Sequence, residues 1–169
     1  MKVSLIALAA VALGIGAPVG APAGAQGPEI AAALEFNHFM VALSVDDIEQ
    51  ETAWFVDNLG FTVAKDAVLR DGAVHFRWLT NGNERIELIK IADSKPGPVR
   101  PTPPGHAAIR GITQVTLETP DIEATKAALA TKGVTPALDI TEVAPLGIKV
   151  MYLLDPEGNA IEIAQRVAG

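Results

Sequence analysis

Residues 37–61 read NHFMVALSVDDIEQETAWFVDNLGF, and residues 113–134 follow the same plan with TQVTLETPDIEATKAALATKGV. In each stretch an alternating apolar run leads to an aspartate, an amphipathic run and a glycine. The aspartates that precede the amphipathic runs are Asp47 and Asp121, and the glycines that end those runs are Gly60 and Gly133. The two pairs are separated by nearly the same length of chain, and a constant offset over two structural elements indicates a duplicated unit.

The first unit is predicted to have the order β-α-β-β-β. Period-two alternation over residues 36–45 predicts a strand, and apolar residues at helical spacing predict a helix after it. Asp46 and Asp47 can cap this helix, and Gly60 is typical of a helix C-terminus. The remaining strands are predicted at residues 61–69, 73–80 and 83–91.

The dipeptide Asn81-Gly82 predicts a tight hairpin turn in this unit. If these two residues form the turn, Phe76 pairs with Glu87 and Trp78 pairs with Arg85 across the hairpin. All four side chains then share one face of the sheet, and His75 lies on the opposite face.

The second unit repeats this order after a proline-rich segment, residues 93–105, which is predicted to be a linker. Its helix is predicted at residues 120–132 and its strands at residues 111–119, 134–142, 147–154 and 160–166. The predicted fold class is therefore α+β, with two tandem βαβββ modules that form one eight-stranded cupped sheet.

Residues 1–25 have the pattern of a secretory signal peptide. A short positive start is followed by an apolar run and by the small residues Ala23-Gly24-Ala25. We expect a periplasmic or secreted protein with an N-terminal arm at residues 26–35 and one domain at residues 36–166. Within that domain, module one covers residues 36–92, the linker 93–105 and module two 106–166.

Composition restricts the partners. The chain has no cysteine, so disulfides and thiol chemistry are excluded. Its formal net charge is −7, and it contains no basic run, so neither nucleic acid nor a membrane surface after signal cleavage is expected as a partner.

Alternation places Glu87 and Glu162, which are separated by the repeat offset, at equivalent inward-facing positions of the two modules. Carboxylates are costly to bury without partners, so this pair is the best functional indication in the sequence. The other predicted ligand-binding residues, in the cavity enclosed by the cupped sheet, are Met40, Phe76, Trp78, Arg85, Gln114 and Tyr152. This set fits an apolar or aromatic small molecule that carries an anion.

The chain resembles the vicinal oxygen chelate superfamily, which includes glyoxalase I, bleomycin-resistance proteins and extradiol dioxygenases. The resemblance is carried by residues 41–61, by RIELIKI at residues 85–91, by residues 112–134 and by YLLDPEGNAIEIAQ at residues 152–165. It implies paired βαβββ modules, often with a divalent metal ion held between them.

The resemblance also implies four metal-ligand positions, which in this chain are Met40, Glu87, Gln114 and Glu162. Met40 departs from the family pattern, because a thioether is a poor ligand for the metals of an oxygen-rich site. His38 lies two residues before Met40 on the same strand face, and it could act as a metal ligand only if a β-bulge turned its side chain toward the site. His75 and His106 are predicted not to be ligands, and His106 is expected to lie in an exposed loop.

Three functions remain open from the sequence, of which one is sequestration or protein interaction through dimerisation of the modules, and the other two involve a small molecule. The first is binding of a small molecule without a cofactor. The alternative is a lyase or isomerase that uses one divalent metal ion, with Glu87 and Glu162 as catalytic residues. Module pairing within a chain or between the chains of a homodimer is also left open.

Overall fold

The computed structural model describes residues 39–167. The predicted signal peptide, the N-terminal arm and His38 lie outside the described residues. Eight strands and two α-helices are found in the described part of the chain, in the predicted order. Module one contains β1 (Val41–Ser44), α1 (Ile48–Leu59), β2 (Thr62–Leu69), β3 (Val74–Asn81) and β4 (Glu84–Ile91). Module two contains β5 (Gln114–Glu118), α2 (Ile122–Thr131), β6 (Leu138–Val143), β7 (Ile148–Leu154) and β8 (Ala160–Arg166).

The helix starts follow from the two aspartates of the repeat. The Asp47 carboxylate accepts hydrogen bonds from the backbone N–H groups of Glu49 and Gln50, and the Asp121 carboxylate accepts one from Ala124. These bonds satisfy donors that have no partner within the helix. Helix α1 ends at Gly60, whose φ of 71° is left-handed and favours glycine. None of the helices within residues 39–167 combines the length and apolar character needed to cross a membrane.

The strands form two separate four-stranded sheets with equivalent orders, β1-β4-β3-β2 and β5-β8-β7-β6. This confirms the α+β class and agrees with tandem βαβββ modules, but a single eight-stranded sheet is not observed. Within residues 39–167, the first strand of each module lies at the edge of its own sheet and pairs only with the last strand of the same module. The described residues include no strand pairing between the modules that would join the two sheets.

The hairpin of module one has a different register from the predicted one. Gly82 and Asn83 form the turn, and Asn81 pairs with Glu84. Trp78 therefore lies opposite Glu87, whereas the predicted partners were Phe76 for Glu87 and Arg85 for Trp78. The pairing shifts by an even number of positions, so each side chain keeps its predicted face.

The two modules share one hydrophobic core on the helix-covered faces of both sheets. Its fully buried members come from both modules and include Phe55, Leu79, Ile86, Ile122, Met151 and Ile161. Since a sheet has two faces, the face of each sheet that carries Glu87 or Glu162 lies on the side opposite this core. We call these the inner faces, and they are where the predicted site residues lie.

Hydrogen bonds also join the modules, at the start of α1. The Glu157 carboxylate, in the turn between β7 and β8, accepts from the backbone N–H groups of Asp46 and Asp47. The N–H of Glu157 in turn donates to Glu51 of α1 at 3.0 Å. Glu51 is fully buried, and its second oxygen has no hydrogen-bond partner among the described residues. Burial and then the nearby negative charge of Asp155 raise the pKa of Glu51 to about 8.

A buried arginine ties α1 to the sheet of module one. Arg77 donates to both oxygens of Glu49, at 2.7 and 2.9 Å, and to Asp66 on β2, at 3.0 and 3.2 Å. Asp66 also lies 2.5 Å from His75, which places His75 on the helix-covered face with Arg77. Hydrogen bonds from Arg77 hold the pKa values of Glu49 and Asp66 below their usual range.

Candidate functional site

Glu162 is the centre of a hydrogen-bond network on the inner face of the second sheet. The Tyr152 hydroxyl donates to its Oε1 at 2.6 Å. Its Oε2 accepts from the Thr116 hydroxyl at 2.6 Å and from the Gln114 amide at 2.8 Å. Glu162 is only 9% exposed, and three donors from two neighbouring strands compensate its burial. The structure thus brings together Gln114, Tyr152 and Glu162 as side chains of one network.

Strand register explains this convergence. Thr116 lies opposite Glu162 in the parallel pair of β5 with β8, and Tyr152 lies opposite it in the antiparallel pair of β7 with β8. Burial, the hydrogen bond to Glu162 and the negative charge of Glu162 raise the pKa of Tyr152 to about 12. The tyrosine therefore remains a neutral donor over the physiological pH range.

His106 belongs to the same network, and its predicted position in an exposed loop is wrong. It lies in a short 3₁₀ turn, Gly105–Ala108, at the end of the proline-rich segment, and is 3% exposed. Its Nε2 is 2.7 Å from Oε1 of Gln114, and its ring packs edge-on against Tyr152 with centroids 5.1 Å apart. Sequence alternation gave no signal for this residue, because a segment outside a strand has no period to read.

The inner face of the first sheet carries an equivalent but simpler pair. Trp78 donates its indole N–H to Glu87 at 2.7 Å, and the two residues lie opposite each other on β3 and β4. Trp78 thus has the place in module one that Tyr152 has in module two. Glu87 is half-buried and its carboxylate accepts from this one side chain among the described residues.

Cations and aromatic rings lie side by side on this face of the first sheet. The Lys65 ammonium group is 4.5 Å from the centroid of the Trp78 ring, on the adjacent strand β2. Arg85 and Phe76 are half-buried and share the face, and the exposed Met40 lies just before β1. Within residues 39–167, neither Lys65 nor Arg85 forms a salt bridge. Lys65 is the ligand-site candidate that the sequence reasoning missed here.

The predicted metal ligands belong to different networks. Glu162 and Gln114 are joined to each other, Glu87 is bonded to Trp78, and no hydrogen bond within the described residues links the two sets. No cluster of three or more His, Asp and Glu side chains in residues 39–167 is arranged to hold a metal ion.

In their observed hydrogen-bonded orientation, the side chains around Glu162 are not suited to binding a divalent metal ion. Both oxygens of Glu162 accept hydrogen bonds, and the amide oxygen of Gln114 points to His106 while its NH₂ group points to Glu162. A metal ion would need the oxygen of Gln114, not the nitrogen, beside the carboxylate. Met40 could add only a soft sulfur to this site.

A depression of about 300 Å³ lies elsewhere, near the start of α2. It is lined by Glu118, Thr119, Pro120, Gln165 and Arg166. The Gln165 side chain accepts from the first N–H of the helix, and Arg166 is paired with Glu118 at 2.9 Å. The polar side chains of this depression are already hydrogen-bonded within the protein, and we do not place the functional site there.

Comparison with known families gives one match over most of the chain. The family model described as Glyoxalase/Bleomycin resistance protein/Dioxygenase superfamily matches residues 35–163. No curated protein matches the sequence.

Several solved structures share the fold at low sequence identity. A glyoxalase family protein from Bacillus cereus has a TM-score of 0.62 at 17% identity, over 83% of this chain and 100% of that chain. A glyoxalase family protein from Enterococcus faecalis has a TM-score of 0.60 at 21% identity, over 77% of this chain and 96% of that chain. A glyoxalase I mutant from Zea mays has a TM-score of 0.60 at 15% identity, over 76% of this chain and 45% of that chain. At such identities the likeness establishes the fold alone.

Proposed function

Since the chain belongs to the glyoxalase/bleomycin resistance protein/dioxygenase superfamily, we propose that it is an exported protein that binds a small aromatic anion without a catalytic metal. The observation that carries the proposal is the pairing of unneutralised cations with aromatic rings on the inner face of the first sheet. Lys65 and Arg85 form no salt bridge in the described chain, the Lys65 ammonium group lies over the Trp78 ring, and Phe76 is on the same face.

The chemistry of this face favours a planar acid. A carboxylate needs positive charge that is not already neutralised, and Lys65 and Arg85 supply it. A half-buried aromatic ring gives a flat apolar surface on which the ring of a ligand can stack favourably. Site pockets that recognise small molecules commonly combine such apolar walls with a few polar groups.

Export is supported by the sequence of residues 1–25, with its positive start, apolar run and small-residue cleavage site. Cell fractionation of the full-length chain would test it. The expected result is a periplasmic or secreted protein whose first residue is Gln26. Retention in the cytoplasm with an intact N-terminus would contradict the proposal.

Ligand binding is tested by calorimetry with benzoate as the probe and benzamide as its neutral analogue. We expect binding of benzoate and at least about tenfold weaker binding of benzamide, because only the acid carries the charge that Lys65 and Arg85 attract. The combined Lys65→Gln and Arg85→Gln variant should lose this preference. Lys90→Gln is the matched control, because Lys90 is exposed on the same strand as Arg85 but on the helix-covered side.

Equal binding of the two probes, or of parent and double variant, would overturn the aromatic-acid proposal.

A separate experiment tests the proposal that the protein has no catalytic metal. Stoichiometric nickel, zinc, manganese or iron in the purified protein that is lost in Glu162→Ala would favour the alternative, a metal-dependent lyase or isomerase. Met40→His should create metal affinity if Met40 lines the site.

We also propose that two copies of the chain complete the site. The inner faces lie opposite the core that the modules of one chain share, so an apposed pair of inner faces requires a second chain. Sedimentation equilibrium should give a dimer. A monomer would contradict this arrangement.

A further inference from the structure

His106 has a position that neither the duplicated pattern nor the proposed binding of an anion explains. It lies in the 3₁₀ turn just after the linker, not in a strand, yet it is more deeply buried than Glu162. Arg100 fixes the backbone at this point, because its guanidinium donates to the carbonyl oxygens of His106 at 3.1 Å and Ile109 at 2.5 Å. Packing against Tyr152 fixes the ring itself. The contacts with Arg100 and Tyr152 thus hold the imidazole in a defined place beside Gln114.

The hydrogen-bond partners determine which atoms face each other. The Gln114 amide donates to Glu162 at 2.8 Å, so its NH₂ group faces that carboxylate. The amide oxygen of Gln114 then points to His106, and the Nε2 of His106 must carry the proton that it donates. Nδ1 of His106 is left as a buried nitrogen without a partner among the described residues. The ring therefore makes one hydrogen bond, to Gln114, and the burial of its other nitrogen without a partner is unfavourable.

We propose that His106 is a positioning residue that fixes the Gln114 amide with its oxygen turned away from Glu162, and so keeps this site from taking up a divalent cation. This inference rests on the metal-free form of the proposed function. Its tests, however, use NMR and metal ions and no aromatic acid, so it stands or fails separately from the binding of an aromatic acid.

The physical reason is the direction of one amide. If the Gln114 side chain turned by half a rotation, its oxygen would face an oxygen of Glu162, and two acceptors repel unless a cation lies between them. A divalent cation would supply that charge and would favour the turned amide. The N–H of His106 opposes the turn, because the turned amide would direct its own NH₂ group at that donor. His106 therefore adds the loss of a hydrogen bond to the cost of binding a metal.

The first experiment measures the tautomer in the unmodified chain. Long-range ¹H–¹⁵N NMR distinguishes a proton on Nε2 from one on Nδ1, and His106→Phe identifies the signal among the three histidines. We expect the Nε2–H form for His106. A neutral ring protonated on Nδ1 would overturn the proposal, whatever the variants do.

The second experiment compares two substitutions at the same position. His106→Phe keeps an aromatic ring against Tyr152 but removes the donor, whereas His106→Gln can restore an N–H donor to the oxygen of Gln114. We expect the thermal unfolding midpoint of His106→Phe to rise with manganese or zinc concentration, and those of the parent and His106→Gln to stay constant. Adding Glu162→Gln to His106→Phe should abolish the rise.

The outcomes separate the roles that His106 could have. A metal response in the parent that depends on Glu162 would overturn the proposal, because the site would then bind a cation with His106 in place. The absence of a response in a folded His106→Phe would also overturn it. If His106→Phe does not fold, His106→Gln identifies the NMR signal instead, and the tautomer and the response of the parent to metal still decide the matter.

Discussion

Tyr152 donates its hydroxyl to Glu162 at 2.6 Å, and Trp78 donates its indole N–H to Glu87 at 2.7 Å from the equivalent position of the other module. The duplication has therefore preserved an aromatic donor opposite a carboxylate, while the surroundings of the two carboxylates have diverged. Glu162 is buried with three donors, and Glu87 is half-buried with one. This difference makes the two positions a matched pair for mutagenesis.

Glu162→Gln and Glu87→Gln should have different effects on stability. In the buried network, the NH₂ group introduced by Glu162→Gln would face donors, so we expect a loss of about 1–3 kcal/mol in the free energy of unfolding. In Glu87→Gln the new amide can turn to water, and we expect a change within about 0.5 kcal/mol. Urea unfolding of both variants measures this, and equal losses would show that the network around Glu162 adds no special stability.

Tyr152 should ionise only at high pH. Burial and the adjacent Glu162 raise its pKa to about 12, while an unfolded tyrosine ionises near 10.0. Because the folded pKa is the higher one, this tyrosine contributes stability below about pH 10, and the contribution is lost as the pH rises from about 10 to about 12. Tyr152 is the one tyrosine of the chain, so phenolate absorbance reports it directly.

The same titration has an internal control. Glu162→Gln removes the negative charge and should lower the ionisation midpoint of Tyr152, whereas Glu87→Gln should leave it unchanged. A parent midpoint near 10.0 in the folded protein would contradict the buried hydrogen bond.

Glu51 should make stability depend on pH near neutrality. Its pKa is raised from 4.5 to about 8, so the folded protein holds a proton that the unfolded chain releases. The contribution of this group is complete below about pH 4.5 and is lost as the pH rises towards about 8. We therefore expect Glu51→Gln to be more stable than the parent at pH 8.5, where only the parent has a charge to bury.

Unfolding of both proteins by urea at pH 5.5 and pH 8.5 tests the role of Glu51. The parent should lose more stability between these values than Glu51→Gln does. Identical pH dependence in the two proteins would mean that Glu51 is ionised in the fold.

Arg77→Lys should weaken the attachment of α1 to the sheet. A lysine cannot reproduce the paired bonds to Glu49 together with those to Asp66, so we expect a loss of about 1–3 kcal/mol in the free energy of unfolding. Arg166→Lys is the control, because its salt bridge to Glu118 lies on the exposed surface, and we expect no measurable change there. Equal effects would contradict the importance of burial at Arg77.

The repeat offset and the strand alternation allowed the fold and part of the site to be predicted. Asp47, Asp121 and Gly60 mark helix ends where the sequence indicated them, because capping is a local interaction. The separation into two sheets was not predictable from local patterns, because they specify which side chains share a face but not what that face meets. The hairpin register failed by a shift of the turn from Asn81-Gly82 to Gly82-Asn83.

The failure to predict the positions of His106 and Lys65 also has a physical explanation. His106 depends on how Arg100 folds the linker, which is a contact between residues with no shared periodicity. Lys65 follows a register shift in β2 between Val63 and Lys65, and such an irregularity changes which side chains share a face. The shared face of Gln114, Tyr152 and Glu162 was predictable because all three lie on regular strands.

The position of Glu157 has a consequence for how the chain can be divided. Its carboxylate caps the start of α1 from the other half of the molecule, and the core is likewise built from both halves. A fragment consisting of the first repeat alone would lose this partner for the N–H groups of Asp46 and Asp47 and would expose Phe55 to water. Each repeat by itself should therefore fail to fold, and a chain split between the repeats should fold only when both pieces are present.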